Sequence, residues 1–288
     1  MKRIKVVFDM ETQDPDDFLT LLLLLGHPCV DLRAVTVTPG STAQIGIVRY
    51  ALQVFDVDLP IGAYNIDHPK KCVSAWHYKV LGDVSSVNEA EEGYKVLFEN
   101  CDEHTTLITG APLKNLGKAI EETSITIGRL VAQGGFAGAP VVPEHLQMEK
   151  FKGKTTCPTF NLGGDSRSAL AALEYSGILK RYFVSKNVCH RVLYDKELHV
   201  EVEKIKEKSR SLQMIWRVME IYLRKKSSKK LHDPLAACCA IDPSIGEWSE
   251  VELYYQRGEW GSRLCPGSNT WIIINYNHQR FLRTLLAF

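Results

Sequence analysis

The 288-residue sequence predicts an α/β protein in which helices flank a mainly parallel sheet. Short apolar runs alternate along the chain with longer stretches whose apolar residues recur at helical spacing. Turn-forming Gly and Pro residues or groups of carboxylates follow several of the short runs. This alternation is typical of successive βαβ units, as in Rossmann-like folds, and no change of composition divides the chain. We therefore expect one domain over residues 1–288.

Strands are expected where β-branched and aliphatic residues are concentrated between turn signals. In chain order they are 4–8, 33–38, 105–108, 127–133, 181–185 and 270–275. The first is the apolar run Ile-Lys-Val-Val-Phe, and the second reads Arg-Ala-Val-Thr-Val-Thr. The segment 137–158 is rich in Pro, Lys and Gly, so we expect it to form a long surface insertion.

Helices are expected where apolar residues recur every three or four positions. In chain order they are 16–26, 42–55, 113–121, 165–175, 209–224 and 233–240. The first carries Asp16 and Asp17 in its opening turn, where carboxylates interact favourably with the helix dipole. The last begins at Asp233-Pro234, an N-cap residue followed by proline at the first helical position.

Charge and composition exclude several classes of protein. A formal charge of +1 argues against extensive binding to nucleic acid or to acidic membranes. The longest aliphatic run, Leu21 to Leu25, is far too short to cross a bilayer, and no signal segment is expected at the start. The eight cysteines contain no CxxC pair, so we expect reduced thiols. These features predict a cytoplasmic protein without nucleic-acid or membrane partners.

An acidic loop follows the first expected strand. Residues 9–17 read Asp-Met-Glu-Thr-Gln-Asp-Pro-Asp-Asp, so five carboxylates lie within nine residues. Without a counter-charge these groups would repel one another, and Ca²⁺ or Mg²⁺ prefers such oxygen ligands. A helix N-terminus accounts for Asp16 and Asp17 but not for the other three carboxylates. The loop therefore predicts a metal site at the carboxyl edge of the sheet, where sites of this fold class gather.

Six motifs occur in a fixed order along the chain. They are Asp9-Met10-Glu11 with Asp16-Asp17, Thr38-Pro39-Gly40, Gly110-Ala111-Pro112-Leu113-Lys114-Asn115, Gly134-Gly135, Phe160-Asn161 and His232-Asp233-Pro234. Together they resemble the calcium-dependent nucleoside hydrolase family over nearly the whole chain, and the acidic loop and the His-Asp-Pro motif are the specific ones. The resemblance implies a nucleoside-hydrolase-like fold and hydrolysis of the N-glycosidic bond of a ribonucleoside to ribose and a free base.

The resemblance also implies a ligand set for Ca²⁺. By position, the ligands would be carboxylates of Glu11, Asp17 and Asp233 and the backbone carbonyl of Gly110, or alternatively that of Thr109. Such a set consists of oxygen atoms only, as a hard cation requires.

For the substrate, the resemblance implies that Asp16 and Asn161 hydrogen-bond the ribose hydroxyls. A water molecule whose pKa is lowered by the cation would attack the anomeric carbon, and a carboxylate of the first loop, Glu11 or Asp16, would take its proton. The departing base would be protonated by His232 or His77. Nearby carboxylates would stabilise the oxocarbenium character of the transition state.

The sequence departs from the family pattern at several positions. Glu11 replaces an aspartate, and one extra residue precedes Asp16, so Asp14 is the alternative ligand or base. Ser41 stands where the family has an asparagine, and Thr159 stands where it has a ribose-binding glutamate. We expect Ser41 and Thr159 to contact substrate in their place, and the altered set favours a modified nucleoside or a nucleotide as substrate.

Two other functions stay open from the sequence. The same departures are compatible with a catalytically impaired protein that binds metal and ribose without turnover. A Mg²⁺-dependent phosphatase is a weaker alternative, because His232-Asp233-Pro234 would have no role in it. The basic run 224–230 is interpreted as a solvated face, or else as a region that attracts an anionic substrate. The resemblance implies a homodimer or homotetramer.

Overall fold

The computed structural model describes residues 3–66 and 72–288 of the protein. This part of the chain contains a long mixed sheet. The strands in chain order are β1 (Ile4–Met10), β2 (Val30–Val37), β3 (Ile61–Ala63), β4 (Glu91–Glu92), β5 (Thr105–Thr109), β6 (Arg129–Gln133), β7 (Thr156–Cys157), β8 (Arg181–Val184), β9 (Leu193–Asp195), β10 (Ser228–Lys230), β11 (Gly246–Gln256), β12 (Glu259–Leu264) and β13 (Thr270–Tyr276). Eleven of them form the sheet, in the spatial order β4-β3-β2-β1-β5-β6-β8-β13-β11-β12-β7. Strands β9 and β10 form a separate antiparallel pair.

The sheet is parallel from β4 to β13 and antiparallel beyond β13. The helices are α1 (Pro15–Gly26), α2 (Thr42–Val54), α3 (Ala75–Leu81), α4 (Gly93–Asn100), α5 (Lys114–Glu122), α6 (Phe160–Gly164), α7 (Ser166–Glu174), α8 (Lys186–Cys189), α9 (Lys196–Ile205), α10 (Arg210–Leu223), α11 (His232–Ile241) and α12 (His278–Leu285). The predicted α/β class with a mainly parallel sheet is confirmed. All six expected strands and six expected helices occur, with their ends shifted by at most three residues.

Apolar side chains cover both faces of the sheet. In β1, Val6, Phe8 and Met10 belong to one apolar core and Val7 belongs to the other. Because both faces are covered, a central parallel strand is apolar almost throughout, and this made β1 recognisable from sequence. Within the described residues, no helix has the length and apolar character needed to cross a membrane.

The segment 137–158 differs from the expected surface insertion. Phe151 and Cys157 are buried and pack with Phe136 in a small apolar cluster, and Val141 and Val142 belong to one of the main cores. The expectation is therefore wrong at these buried positions, where apolar residues between the Pro, Lys and Gly residues pack inward, whereas most of the segment is exposed or partly exposed.

Candidate active site

A cleft of about 360 Å³ opens at the carboxyl edge of the parallel strands. It is lined by Glu11, Gln13, Asp14, Asp16, Asp17, Gly110, Gln133, Gly134, Gly135, Thr159, Phe160, Asn161, Lys186, His190, His232 and Asp233. The loops after β1, β5, β6 and β8 and the start of α11 therefore meet there, as the topology of a parallel sheet requires. Its volume lies within the range of about 300–1,000 Å³ that is usual for ligand sites.

A larger cleft of about 730 Å³ lies at the opposite edge of the sheet, around the starts of β1, β5 and β6. Its lining includes Arg3, Lys5, His104 and Arg129 but brings together no group of buried carboxylates. Size alone does not identify a site, so the chemical groups favour the smaller cleft at the carboxyl edge.

Asp9 joins the ends of three strands beneath the cleft. Its buried carboxylate accepts hydrogen bonds from the Thr36 hydroxyl at 2.6 Å and from the Asn115 side chain at 2.8 Å. The Asn115 amide also donates to the Thr38 hydroxyl at 3.2 Å. Burial raises the pKa of Asp9 to about 6 although these hydrogen bonds oppose the shift. Asp9 therefore supports the loops and does not line the cleft.

Three buried carboxylates, the acidic trio, come together at the bottom of the cleft. One oxygen each of Asp16, Asp17 and Asp233 lies within 4.8 Å of the others, and these residues are 1%, 1% and 4% exposed. Gly110 lies directly against them, since a Cβ at this position would come within 2.7 Å of the Asp233 carboxylate and 2.8 Å of the Asp17 carboxylate. The backbone at Gly110 can thus approach the trio closely only because it has no side chain.

The electrostatics of the trio favour a bound divalent cation. Burial and then repulsion by Asp233 raise the pKa of Asp17 well above its usual value, and burial and then Asp16 do the same for Asp233. The Oδ1 atom of Asp233 is buried and has no hydrogen-bond partner among the described residues. Buried, mutually repelling carboxylate oxygens with an unused lone pair suit a hard cation, so the residues present fit Ca²⁺ or Mg²⁺.

Glu11 lies at the edge of the trio. Its backbone N–H donates to Asp17 Oδ1 at 3.0 Å, and its side chain is largely buried. Burial, followed by repulsion from Asp14 and Asp16, raises the pKa of Glu11 to about 7. The three carboxylates that lie closest together therefore include Asp16 and not Glu11. The family resemblance instead implied Glu11 as a metal ligand and Asp16 as a partner of the ribose.

Lys229 is a buried cation among these carboxylates. Its ammonium group lies 2.7 Å from Asp14 Oδ1 and 3.0 Å from Asp16 Oδ1, and the residue is 4% exposed. Burial alone would lower the pKa of Lys229, but the charges of Asp16 and Asp14 raise it above its usual value. The interpretation of the run 224–230 as a solvated face is therefore wrong at Lys229.

Asp16 also holds the start of α11. Its Oδ2 atom accepts hydrogen bonds from the backbone N–H groups of His232 at 3.0 Å and Asp233 at 3.3 Å. These amides have no partner within the helix, so a carboxylate there both satisfies them and interacts favourably with the helix dipole. Asp16 thus connects α1, β10 and α11, and any contact to substrate or metal is additional to these bonds.

His232 lines the cleft and lies beside Cys189, the last residue of α8, and His190, which follows it. Its Nδ1 atom is 3.1 Å from the Cys189 Sγ atom, and its ring centroid is 4.9 Å from that of His190. Burial and then the charge of Lys229 lower the pKa of His232 to about 3. The ring is therefore neutral at pH 7 in this structure, which disfavours the expected role of a protonated acid.

His77 and Ser41 are not among the residues that line the cleft. His77 is fully buried, hydrogen-bonds Ser74 at 3.0 Å and packs edge-on against Phe18 and Trp76. Burial lowers its pKa to about 4. The Ser41 hydroxyl accepts from the Gln44 N–H at the start of α2. Both residues have structural roles here, and their expected contacts with substrate stay predictions.

Asn161 and Thr159 line the cleft next to the end of β6. The Asn161 amide donates to the Gln133 carbonyl at 3.0 Å and to the Gln133 side-chain oxygen at 2.8 Å. Thr159 is 7% exposed, and its hydroxyl has no hydrogen-bond partner among the described residues. Both are therefore placed where they can contact a bound molecule.

Four lining or adjoining residues were missed from the sequence, namely Gln133, Lys186, His190 and Lys229. Gln133 ends an expected strand and precedes a Gly-Gly pair, and Lys186 and His190 follow the expected strand 181–185. Polar residues directly after a parallel strand are the signal that points to the carboxyl edge. For Lys229 the basic run itself concealed the signal.

The fold is shared with solved nucleoside hydrolases at low sequence identity. The structure resembles a purine-preferring ribonucleoside hydrolase from Gardnerella vaginalis, with TM-score 0.73 and 14% identity, covering 98% of this chain and 96% of that one. It also resembles an inosine-uridine preferring nucleoside hydrolase from Bacillus anthracis, with TM-score 0.71 and 20% identity, covering 99% and 98% of the two chains.

Sequence comparison extends the likeness to the family level. An uncharacterized protein from Aquifex aeolicus is 28% identical over 286 residues, which cover 94% of each chain. A sequence profile of the family described as inosine-uridine preferring nucleoside hydrolase matches residues 6–283. The chain therefore belongs to the inosine-uridine preferring nucleoside hydrolase family, enzymes that hydrolyse N-glycosidic bonds.

Proposed function

We propose that this protein hydrolyses the N-glycosidic bond of a ribonucleoside to ribose and a free base with the help of a bound divalent cation, Ca²⁺. The observation that carries the proposal is the buried acidic trio, with the unpartnered Oδ1 atom of Asp233, at the bottom of a cleft in a nucleoside hydrolase fold. A Mg²⁺-dependent phosphatase is the weaker candidate, because the His232-Asp233-Pro234 motif would have no role in it.

The proposed ligands are Asp17, Asp233, Glu11 and the backbone carbonyl of Gly110, and the geometry adds Asp16 as a further candidate. When bound, the cation supplies positive charge that lowers the pKa of water at the site. Lys229 neutralises part of the charge on Asp16, and a bound cation would neutralise the charge on Asp17 and Asp233.

The remaining steps fall to side chains of the cleft. Glu11 is the proposed general base, because its carboxylate lines the cleft beside the acidic trio. Asp14 is the alternative base, since it faces the same cleft. Asn161, held by Gln133, and Asp16 are the proposed partners of the ribose hydroxyls. Carboxylates around the sugar stabilise the positive charge that develops on it.

The test is hydrolysis of a panel of ribonucleosides, with and without modified bases, by the purified protein in Ca²⁺ and in EDTA. We expect release of free base from at least one member in Ca²⁺ only. Asp233→Asn should reduce hydrolysis at least about a hundredfold, because it removes a charge at the reacting centre. It should also abolish Ca²⁺ binding measured by calorimetry, while the protein stays folded, because the neutral amide relieves repulsion within the trio.

Asp242→Asn is the matched control, since Asp242 follows the other end of α11 and pairs with Arg280. It should leave both readouts unchanged. Calcium binding without base release from any member of the panel would favour the catalytically impaired metal- and ribose-binding protein instead. The homo-oligomeric state, the cytoplasmic location and the single domain over residues 1–288 remain predictions from the sequence.

A further inference from the structure

We propose that a second part of the same cleft binds a phosphate group carried by the substrate, so that the preferred substrate is a ribonucleoside 5′-monophosphate. This inference rests on the proposed hydrolysis of an N-riboside and narrows its substrate class. The residues involved are three lysines, Lys150, Lys186 and Lys230 (the lysine group), together with Thr159 and His190.

The lysine group gathers positive charge near one part of the cleft. Lys186 lines the cleft beside His190, and the Lys150 ammonium donates to His190 Nδ1 at 2.5 Å. The charges of Lys150, Lys230 and Lys186 all act on the His190 ring, whose pKa burial and its neighbours lower to about 3. The Lys150 ammonium therefore contacts the His190 ring, and the charges of Lys186 and Lys230 are close enough to act on it.

These three lysines have no ion-pair partner in the part of the chain that the structure describes. In residues 3–66 and 72–288, none of the three lysines forms an ion pair with a carboxylate, whereas Lys229 pairs with two. Burial lowers the pKa of Lys150, and the charges of Lys230 and Lys186 lower it further. Like charges held together in a cleft have a cost that an anionic ligand removes.

Thr159 supplies an independent observation. Its hydroxyl is buried, lines the cleft and lacks a hydrogen-bond partner in the described part of the chain, so a donor is left without an acceptor. Lys186 lies beside it, because the Lys186 ammonium donates to the carbonyl of Pro158 at 2.8 Å. A buried hydroxyl next to an ammonium group suits the oxygens of a phosphate.

The position along the substrate follows from the neighbouring residues. Asn161 and Asp16 are the proposed partners of the ribose hydroxyls, and Thr159 directly precedes α6, in which Asn161 is the second residue. A phosphate at Thr159 and Lys186 is therefore attached to the sugar and not to the base. The ribose of a nucleoside has hydroxyl groups at the 2′, 3′ and 5′ positions. With Asn161 and Asp16 on the 2′- and 3′-hydroxyls, the 5′-hydroxyl is the position left to carry the phosphate.

The first experiment compares kcat/KM for a nucleoside and its 5′-monophosphate in Ca²⁺. We expect the wild type to prefer the monophosphate about tenfold or more, because one charged hydrogen bond contributes at least this factor. Lys186→Gln should abolish most of this preference. Lys180→Gln is the matched control, since Lys180 is exposed directly before β8 and Lys186 directly follows Ser185 after the same strand; it should keep the preference.

The second experiment measures binding without turnover, by calorimetry with ribose 5-phosphate, ribose and inorganic phosphate. Tighter binding of ribose 5-phosphate than of ribose, lost in Lys186→Gln and Lys150→Gln, supports the inference even if no substrate is hydrolysed. Equal binding of the two sugars, or hydrolysis of nucleosides with no preference for the monophosphate, overturns it. A preference for a carboxylate on the base over the 5′-phosphate overturns it as well.

Discussion

Lys229 and Lys230 are neighbours in sequence with opposite environments. Strand β10 pairs with β9, and side chains alternate between its two faces, so Lys229 is buried among carboxylates and Lys230 is exposed. Lys229 neutralises part of the charge on Asp14 and Asp16 and at the same time adds positive charge close to the proposed cation site. Lys229 therefore stabilises the metal-free protein but weakens the binding of the cation.

We expect Lys229→Met to lower the free energy of unfolding of the metal-free protein by about 3–5 kcal/mol, because it leaves Asp16 buried without its counter-charge. Addition of Ca²⁺ should then raise the melting temperature more in this variant than in the wild type. Thermal unfolding in EDTA and in Ca²⁺ measures both effects. Lys230→Met, an exposed substitution, should change stability by no more than about 0.5 kcal/mol; equal effects of the two variants would contradict the assignment.

Gly110→Ala tests the close approach of backbone to the acidic trio. The added methyl would lie 2.7 Å from the Asp233 carboxylate and would have to displace it. We expect Ca²⁺ affinity, measured by calorimetry, to fall at least about tenfold, as for other disturbances of ligand orientation. Gly163→Ala is the control, because a Cβ at Gly163 meets open space. If the Ca²⁺ affinity of Gly110→Ala is unchanged, the backbone at Gly110 is not part of the cation site.

At the scale of elements, the sequence predicted what depends on periodicity. The central strand β1 was found because covered faces make it apolar, and α11 was found because Asp233-Pro234 resembles a helix start. The expected N-cap position of Asp233 is wrong, since the helix begins at His232 with Leu231 as its N-cap residue. Strands β3 and β4 have three and two residues, too few for any period to be recognised. The long strand β11 was missed because it carries exposed glutamates and joins the sheet antiparallel, with one face open to water.

The candidate site was predictable to a similar extent. Asp17, Gly110 and Asp233 were placed together through their motifs and the topology of the sheet, and the structure has them side by side. The role of Lys229 was hidden because β10 has three residues, and the lysine group depends on tertiary packing between distant segments. No local sequence pattern predicts which of several neighbouring lysines faces inward.

At the scale of the whole molecule, the buried carboxylates make stability depend on pH. Burial raises the pKa of Asp9 to about 6 and that of Glu11 to about 7, and the pKa values of Asp17 and Asp233 are also raised. Groups with a higher pKa in the folded state than in the unfolded state stabilise folding at low pH and lose this contribution as pH rises. These carboxylates should therefore make the metal-free protein lose stability between pH 5.5 and pH 8. The lowered pKa values of His77, His190 and His232 act in the opposite direction, because the unfolded chain binds their protons below about pH 6.5.

This prediction is measured as the melting temperature in EDTA across that range. Each group that titrates contributes up to about 1.4 kcal/mol per pH unit. Ca²⁺ at pH 8 should remove most of the loss, because a cation neutralises the ionised trio, and Asp233→Asn should flatten the dependence in EDTA. Asp242→Asn should follow the wild type. The same pH dependence in Asp233→Asn as in the wild type in EDTA would contradict the carboxylates as a source of this loss of stability.

The hydrogen bond from the His232 amide to Asp16 joins residues 216 positions apart. The first strand–helix unit and α11 must therefore both be in place before the cleft is complete. Closure of so long a loop is a late event, since its entropy cost is met only by a nearly complete sheet. A partly folded chain consequently has no cleft, so that base release in a refolding experiment reports the completion of folding and not its onset.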